Sequence, residues 1–568
     1  MSLLSVHRPV APPGADARAR PSARRWVGWL LGGGWVAQFV LRLWLYRYHA
    51  GPVANPDEVG YLLAARLLAG GPGGDYSGST FYQGGYALLL VPAFWLASDP
   101  GTVYRLIVGI GSAVAAAAFP LAYLALRSLG MAVRPALLLA FAAGASPSLL
   151  AFSGLALVDA VLPTLLLGWL ITLYDLAHRG SMRASALAGA LAGFMAATHM
   201  RGYVVFAVWA LALAGLAVTR RIAPKAAFTG AIVGGMTALA GAVLNARLAA
   251  DLYPGGARNL SGLLVDRLTG FDGQSWALAG AAGQIWYLVV ATWGLAGVGL
   301  VAAAVTAVRR GAALAHRVTS AALLTITLGT AYASSAALPD EHRVGNYAYG
   351  RYLAFVALAW TLAGLVALLR ARRTVVPGLV LGTVALAAAT GGGAALYAGD
   401  RLHRYNFIAF DFPEVIFLSG VRDRLDMATA SWTAVALLAC FAVAALTPHR
   451  VRGLLTVGAL VAVNAAFAVH IAPQAPPNPD PGRLPQPPPG RVALDNRIHW
   501  RLWVQVAYRV SWTELERFDG NRQAVPHGVC STVLPPAATP PPGWRAAGSR
   551  PEWTLWTSPH CPPGRTPG

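Results

Sequence analysis

The chain has 568 residues, 56% of them hydrophobic and only 12% charged, against about 25% charged in soluble globular domains. That composition excludes an ordinary soluble enzyme, because several apolar runs reach the roughly 20 residues needed to cross a hydrocarbon core. The formal net charge of +21 argues little for a nucleic-acid partner, since the arginines fall in small clusters between apolar runs, as in loops retained in the cytoplasm.

Residues 1–25 are rich in Pro, Ala and Arg without periodicity and read as a disordered cytoplasmic tail. The apolar segment 26–48 is too long for a signal-peptide core, no small-residue cleavage site follows it, and it reads as an uncleaved first span. Just beyond it lies Asn55-Pro56-Asp57-Glu58-Val59-Gly60-Tyr61. From Tyr61 to Leu68 apolar residues recur at helical spacing with Arg66 as the lone charge, which predicts a short amphipathic helix at the membrane surface. Two carboxylates at that boundary could bind a cation or take a proton from a substrate hydroxyl. They could equally be an N-cap and a first-turn acid that favour the helix dipole.

Phe81-Tyr82-Gln83-Gly84-Gly85-Tyr86 leads into an apolar run over 87–97 that is short for a span. Orientation arbitrates. If 87–97 crosses, almost every later arginine cluster falls outside; if it stays on the outer surface, Arg127/Arg134, Arg179/Arg183, Arg220/Arg221, Arg309/Arg310, Arg370/Arg372 and Arg450/Arg452 fall inside in turn. The second arrangement predicts thirteen spans, at about 26–48, 104–126, 134–152, 156–177, 184–199, 203–219, 226–249, 281–308, 317–337, 351–369, 376–398, 430–447 and 453–471. The N-terminus is then cytoplasmic and the C-terminus extracytoplasmic.

Ionisable groups at membrane depth are costly and therefore count as functional candidates. Asp159 ends its span on the outer side and could orient a sugar hydroxyl or a cation, or simply start a helix. Arg201 interrupts an apolar stretch within Thr198-His199-Met200-Arg201-Gly202-Tyr203, where a guanidinium could hold a phosphate through paired donors. Arg351 and Tyr352 open an outer-facing span and form another phosphate candidate, while Pro339-Asp340-Glu341-His342-Arg343 reads as an ordinary solvated loop. Arg66 could face a lipid phosphate beside the acidic pair, whereas Arg42 and Arg105 read as snorkelling side chains. Zinc-type spacing, a Walker loop and a nucleophile elbow are all lacking from the sequence. Gly and Ala at helical spacing read as helix-packing surfaces.

Residues 472–490 read as a Pro-rich linker, and residues 491–568 as a small extracytoplasmic module expected to be β-rich. Its Cys530 and Cys561 are a plausible disulfide in an oxidising compartment, or else two thiols, and Cys440 is a packing residue within a span.

The layout resembles the GT-C superfamily of polyprenyl-phosphate-sugar-dependent glycosyltransferases, nearest to the protein O-mannosyltransferase-like and aminoarabinose-transferase-like families. The resemblance runs over residues 26–360 and rests on Pro56-Asp57-Glu58-Val59-Gly60-Tyr61, the surface helix after it, Arg105-Leu106, Asp159 and Gly350-Arg351-Tyr352. It implies an all-α polytopic membrane protein of about thirteen transmembrane helices, with surface helices in the first extracytoplasmic loop and a small C-terminal extracytoplasmic domain. It implies catalytic roles for Asp57, Glu58 and Asp159 and matches Arg351 and Tyr352 to the family's Arg-Tyr element; together with Arg66 and Arg201, which are candidates by their positions alone, these are the expected donor-phosphate contacts. The implied partners are a polyprenyl-phosphate-sugar donor, an extracytoplasmic acceptor and membrane lipid; no cofactor is required, although a divalent metal could bind at Asp57. Where the family often has a His-Pro-Pro or Pro-Pro-Leu element, this chain has Tyr82-Gln83-Gly84-Gly85-Tyr86, a departure at the donor-positioning loop. A transporter or lipid flippase is the rival, and it would show repeated halves with ionisable groups near the midplane. A third option is a scaffold that displays the tail.

Overall fold

A chain this apolar has to fold as helices, because in lipid each backbone N–H and C=O must be satisfied within its own segment. The computed structural model describes residues 21–49, 51–54, 57–473, 490–499 and 514–561; the tail before residue 21, the Asn55-Pro56 half of the first motif and nearly all of the linker lie outside the described residues. Among the described residues, seven helices are long and apolar enough to cross a membrane: Pro100–Ser128, Met200–Val218, Pro224–Leu252, Gly345–Arg370, Val376–Ala398, Met427–Leu446 and Arg450–Ile471. Helices Pro21–Leu45, Leu162–Arg179, Met182–Thr198 and Leu314–Ala337 lie between or before them.

Two of the thirteen expected spans take another form. The segment expected as one span over 281–308 is a pair of helices, Phe271–Ala291 and Leu295–Val308, bent by 115°. The chain turns there through the left-handed region at Trp293 (φ 60°) and Gly294 (φ 81°). Trp293 can hold that unfavourable backbone because its ring is buried and its indole N–H donates to Asn464 Oδ1 at 3.0 Å. The run expected at 134–152 is helical only over Val133–Gly144 and Pro147–Leu150, after which the backbone is irregular up to a 3₁₀ turn at Val158–Ala160. Irregular backbone at this depth survives only when protein groups satisfy it. Here the Tyr46 hydroxyl donates to Ala151 O at 2.7 Å, and Glu58 accepts from Ala156 N at 2.7 Å.

The short run at 87–97 is a helix over Gly84–Leu96, with Gly85, Tyr86, Ala87 and Leu90 buried and Trp95 and Leu96 exposed. Small residues set a close crossing between the helices Met182–Thr198 and Pro224–Leu252. A Cβ on Gly189 would lie 2.6 Å from Gly230 O, and one on Gly193 would lie 2.8 Å from Gly234 O. With little hydrophobic force between helices in lipid, such close backbone approach supplies the packing. Gly193→Val is expected to lower stability by about 1–3 kcal/mol, the usual cost of overpacking, read as a lower melting temperature in detergent.

The C-terminal module is a five-stranded sheet of β1 (Arg491–Asp495), β2 (Leu515–Phe518), β3 (Val529–Leu534), β4 (Arg545–Arg550) and β5 (Trp553–Thr557), in the order β2-β1-β3-β5-β4. β1 runs parallel to β2 and β3, and the other pairs are antiparallel. Ala493, Phe518, Val529 and Leu534 form a small core of their own, while Val492, Leu494, Leu515, Val533 and Leu555 belong to the main core shared with Val59 and Leu63. The sheet is thus docked on the first loop rather than tethered loosely. Cys530 and Cys561 are disulfide-bonded, with Cα atoms 5.5 Å apart.

Candidate active site

Four side chains from distant parts of the sequence meet at one end of the bundle. Asp57 is the first residue of the helix Asp57–Leu68. Asp159 sits in the 3₁₀ turn before Leu162–Arg179, Arg201 in the first turn after the His199 break, and Arg351 in the 3₁₀ turn that precedes Ala354–Arg370. Each therefore lies at an interruption or an end of a helix, where a side chain can leave the packed helix face and point along the bundle axis.

Arg351 joins the two carboxylates. Its Nη1 donates to Asp57 Oδ2 at 2.5 Å and its Nε to Asp159 Oδ2 at 2.9 Å. Asp159 Oδ1 in turn accepts from Arg201 Nη2 at 2.9 Å, and Arg201 Nε reaches His199 Nδ1 at 3.2 Å. Charges alternate along this chain, so each buried ion has a partner that offsets its lost hydration. Exposure separates the members: the Asp159 side chain is 1% exposed, Arg201 4% and Arg351 8%, but Asp57 is 32% exposed. Asp57 is the one member that a substrate could reach from solvent. Its remaining oxygen, Oδ1, accepts the Tyr82 hydroxyl at 2.8 Å. Tyr352 lies against Arg201, whose guanidinium is 5.6 Å from the ring centroid.

Three expected roles are corrected by this geometry. Glu58 is fully buried and accepts from Val53 N, Ala54 N and Ala156 N, each at 2.7 Å, and from the Tyr104 hydroxyl at 2.5 Å. A carboxylate has about four lone-pair sites, so these donors leave it none for catalysis. Burial pushes the Glu58 carboxyl above its usual range, with those donors opposing the shift. Its position instead ties the Asp57 helix to the irregular segment that carries Asp159. Arg66, expected at a donor phosphate, is 2% exposed and donates to Pro72 O and Gly73 O, both at 2.8 Å, so it braces the loop after its helix. Arg42 does not snorkel: it is fully buried, donating to Gln38 O, Gln38 Oε1 and Gly144 O. Gly144 ends the helix Val133–Gly144, where unpaired carbonyls favour a cation.

A divalent metal fits these residues poorly. The Arg351 guanidinium lies between the two carboxylates, where a cation bridging them would sit, and no cluster of three His, Cys, Asp or Glu side chains forms among the described residues.

Sequence reasoning missed the second acidic patch. Arg351, Gly350, Phe152, Tyr287, Asp411 and Glu414 line a small cavity behind the network. Glu414 accepts the Tyr287 hydroxyl at 2.6 Å, while Asp411 Oδ2 is buried without a hydrogen-bond partner among the described residues. A Cβ on Gly345 would lie 2.9 Å from that oxygen, so glycine there makes room for the carboxylate. The available signal was two acids three residues apart within Phe410-Asp411-Phe412-Pro413-Glu414, an unusually aromatic loop.

Burial pushes the Asp411 carboxyl from 3.8 up to about 6, against the pull of Arg343 and Arg351. The folded protein then binds this proton more tightly than the unfolded chain, so stability from this group is complete at low pH and lost as pH rises through about 6. Asp411→Asn is expected to remove that slope between about pH 4 and 6 and to raise the melting temperature at pH 7. Melting curves across this range check it, and an unchanged slope would exclude Asp411 as its source.

No protein-family model matches the chain, and neither does any curated protein. Solved structures do. The crystal structure of ArnT from Cupriavidus metallidurans bound to undecaprenyl phosphate aligns with a TM-score of 0.50 at 14% sequence identity, over 94% of this chain and 98% of that chain. The apo-state structure of the same protein covers the same shares at 14% identity with a TM-score of 0.48. Over that 94% of its length the chain thus shares the fold of the solved ArnT structure.

Proposed function

We propose that the protein is an integral-membrane glycosyltransferase that moves a sugar from a polyprenyl-phosphate carrier to an extracytoplasmic glycan, lipid or protein. The observation that carries this reading is the partly exposed Asp57 at the mouth of a buried Asp57–Arg351–Asp159–Arg201 network. An ArnT-like fold is consistent with it, since the solved ArnT structure holds undecaprenyl phosphate. On this reading the N-terminus is cytoplasmic, the C-terminal sheet is extracytoplasmic, and the network faces the outer leaflet.

The donor enters laterally from the membrane with its isoprenoid tail between helices and its phosphate toward the guanidinium side of the network. Asp57 takes the proton of the acceptor hydroxyl. The hydroxyl oxygen bonds to the anomeric carbon, the bond from that carbon to the phosphate oxygen breaks, and polyprenyl phosphate leaves with the electron pair. One displacement of this kind inverts the anomeric configuration. Arg351, already aimed by Asp159, can shift toward the leaving phosphate as Asp57 is neutralised, so that the positive charge follows the developing negative one. Arg201 and Tyr352 stand beside it.

The transport reading gains one feature, the 115° break between Phe271–Ala291 and Leu295–Val308, because broken helices build transporter sites. The break is filled by Trp293 and Asn464, however, and no ionisable residue occupies Thr292, Trp293 or Gly294. The ionisable network lies elsewhere, at one end of the bundle.

The test is transfer of label in membranes from mannosyl and arabinosyl polyprenyl phosphates. Label appearing in an extracytoplasmic acceptor is the expected result, and polyprenyl phosphate should be released in equal amount. Label that merely crosses the bilayer on its carrier would favour transport.

A further inference from the structure

The loop between the Asp57 helix and the Gly84–Leu96 helix carries Tyr82, yet its residues 77–83 have no helix or strand of their own. Loops of this kind move unless something ties them down. Here the ties come from two sides. From the membrane domain, Tyr76 N donates to Leu252 O at 2.7 Å, Arg258 N donates to Ser79 O at 2.8 Å, and the Tyr253 hydroxyl donates to Thr80 O at 3.0 Å. From the C-terminal sheet, Gly74 pairs with Leu515 as a parallel bridge and Asp75 N donates to Leu515 O at 3.2 Å.

Leu515 belongs to β2, the edge strand of the sheet. An edge strand presents unpaired backbone groups that recruit another extended segment, and the one it recruits here is the first loop. Arg517, two residues along β2, strengthens the junction: its Nε donates to Asn496 Oδ1 within the module and its Nη1 to Ser77 O across the boundary, both at 2.9 Å. The connection continues inward through packed rings. Tyr76 stands 6.0 Å from Tyr82 and 5.8 Å from Tyr253, centroid to centroid, and the Tyr82 hydroxyl donates to Asp57 Oδ1.

We infer that the C-terminal sheet is a working part of the transfer site, with Arg517 as a positioning residue that fixes segment 74–82 and so holds the Tyr82 hydroxyl on Asp57. The inference rests on the transferase reading. Asp57 is the exposed carboxylate of the network, and its plane is set by Arg351 on one oxygen and Tyr82 on the other. If the loop loosens, Oδ1 is released and the carboxylate can rotate away from the acceptor hydroxyl. Misplacement of a reacting group by about 1 Å can cost about 10²-fold in rate.

The full-length protein in lipid nanodiscs serves for the test. Arg517→Ala should speed amide hydrogen exchange at Asp75 to Gly78 about 10-fold, the effect of losing one hydrogen bond. It should also lower kcat about 5- to 100-fold with the donor KM unchanged. Arg517→Lys should recover most of both, because an ammonium can still donate to the Ser77 carbonyl. Arg550→Ala, at the opposite edge of the sheet, should behave as wild type, and Tyr82→Phe should lower kcat without changing exchange at Asp75. Wild-type kcat in Arg517→Ala, whether or not exchange rises, would overturn the positioning role. Full transfer by an Asp57 variant would instead remove the transferase reading and this inference with it, even if the exchange result held.

Discussion

Asp57→Asn is expected to lower sugar transfer by about 10²- to 10⁴-fold, the contribution of a positioned general base, while the amount of folded protein in membranes stays the same. The second half of that expectation follows from exposure. Asp57 is 32% exposed and stands at the open end of the network, so neutralising it strands no buried partner: Arg351 keeps Asp159 at 2.9 Å. The amide can also keep both local contacts, turning its oxygen to Arg351 and its nitrogen to the Tyr82 hydroxyl. What disappears is the proton acceptor. On the transferase reading the donor's phosphate faces Arg351 rather than Asp57, so donor KM should change far less than kcat. Near-wild-type transfer by this variant would refute the assignment of Asp57 as the base.

Asp159→Ala should behave in the opposite way, losing stability first. Asp159 is 1% exposed and holds both Arg201 and Arg351 at 2.9 Å. Removing it leaves Arg351 with Asp57 and takes from Arg201 its carboxylate partner, and breaking a buried ion pair from one side costs about 3–5 kcal/mol. Thermal unfolding in detergent should shift well below wild type, and transfer should be lost because Arg351 is no longer aimed. Asp159→Asn should recover part of the stability, as the amide oxygen can still accept from one arginine. A wild-type melting temperature for Asp159→Ala would show that the network does not hold the helix ends together.

Asp57 and Asp159 are alike as carboxylates near the ends of apolar runs, and nothing in their local sequence separates their tasks. The distinction arises from depth, which is a tertiary quantity. The same holds for Glu58. As a neighbour of Asp57 it reads as a second catalytic acid, but successive helical residues point about 100° apart, and that rotation carries it away from the network toward Tyr104 and Ala156. Arg66 reads as a cation facing a lipid phosphate and Arg42 as a side chain that snorkels; both instead meet buried carbonyls left free by a turn and a helix end.

By itself the sequence determined that this is a helical membrane protein, since the length and apolarity of its runs leave no other way to satisfy the backbone in lipid. It also marked where chemistry could be found, because charges at membrane depth are too costly to be incidental. Only the tertiary structure decided which of those charges meet. Residues 57, 159, 201 and 351 lie on separate segments, and an ion pair depends on distance in space, which falls off over a few ångströms and has no signature in spacing along a chain. The docking of β2 on the first loop was hidden for the same reason, since backbone pairing leaves almost no mark on side-chain identity.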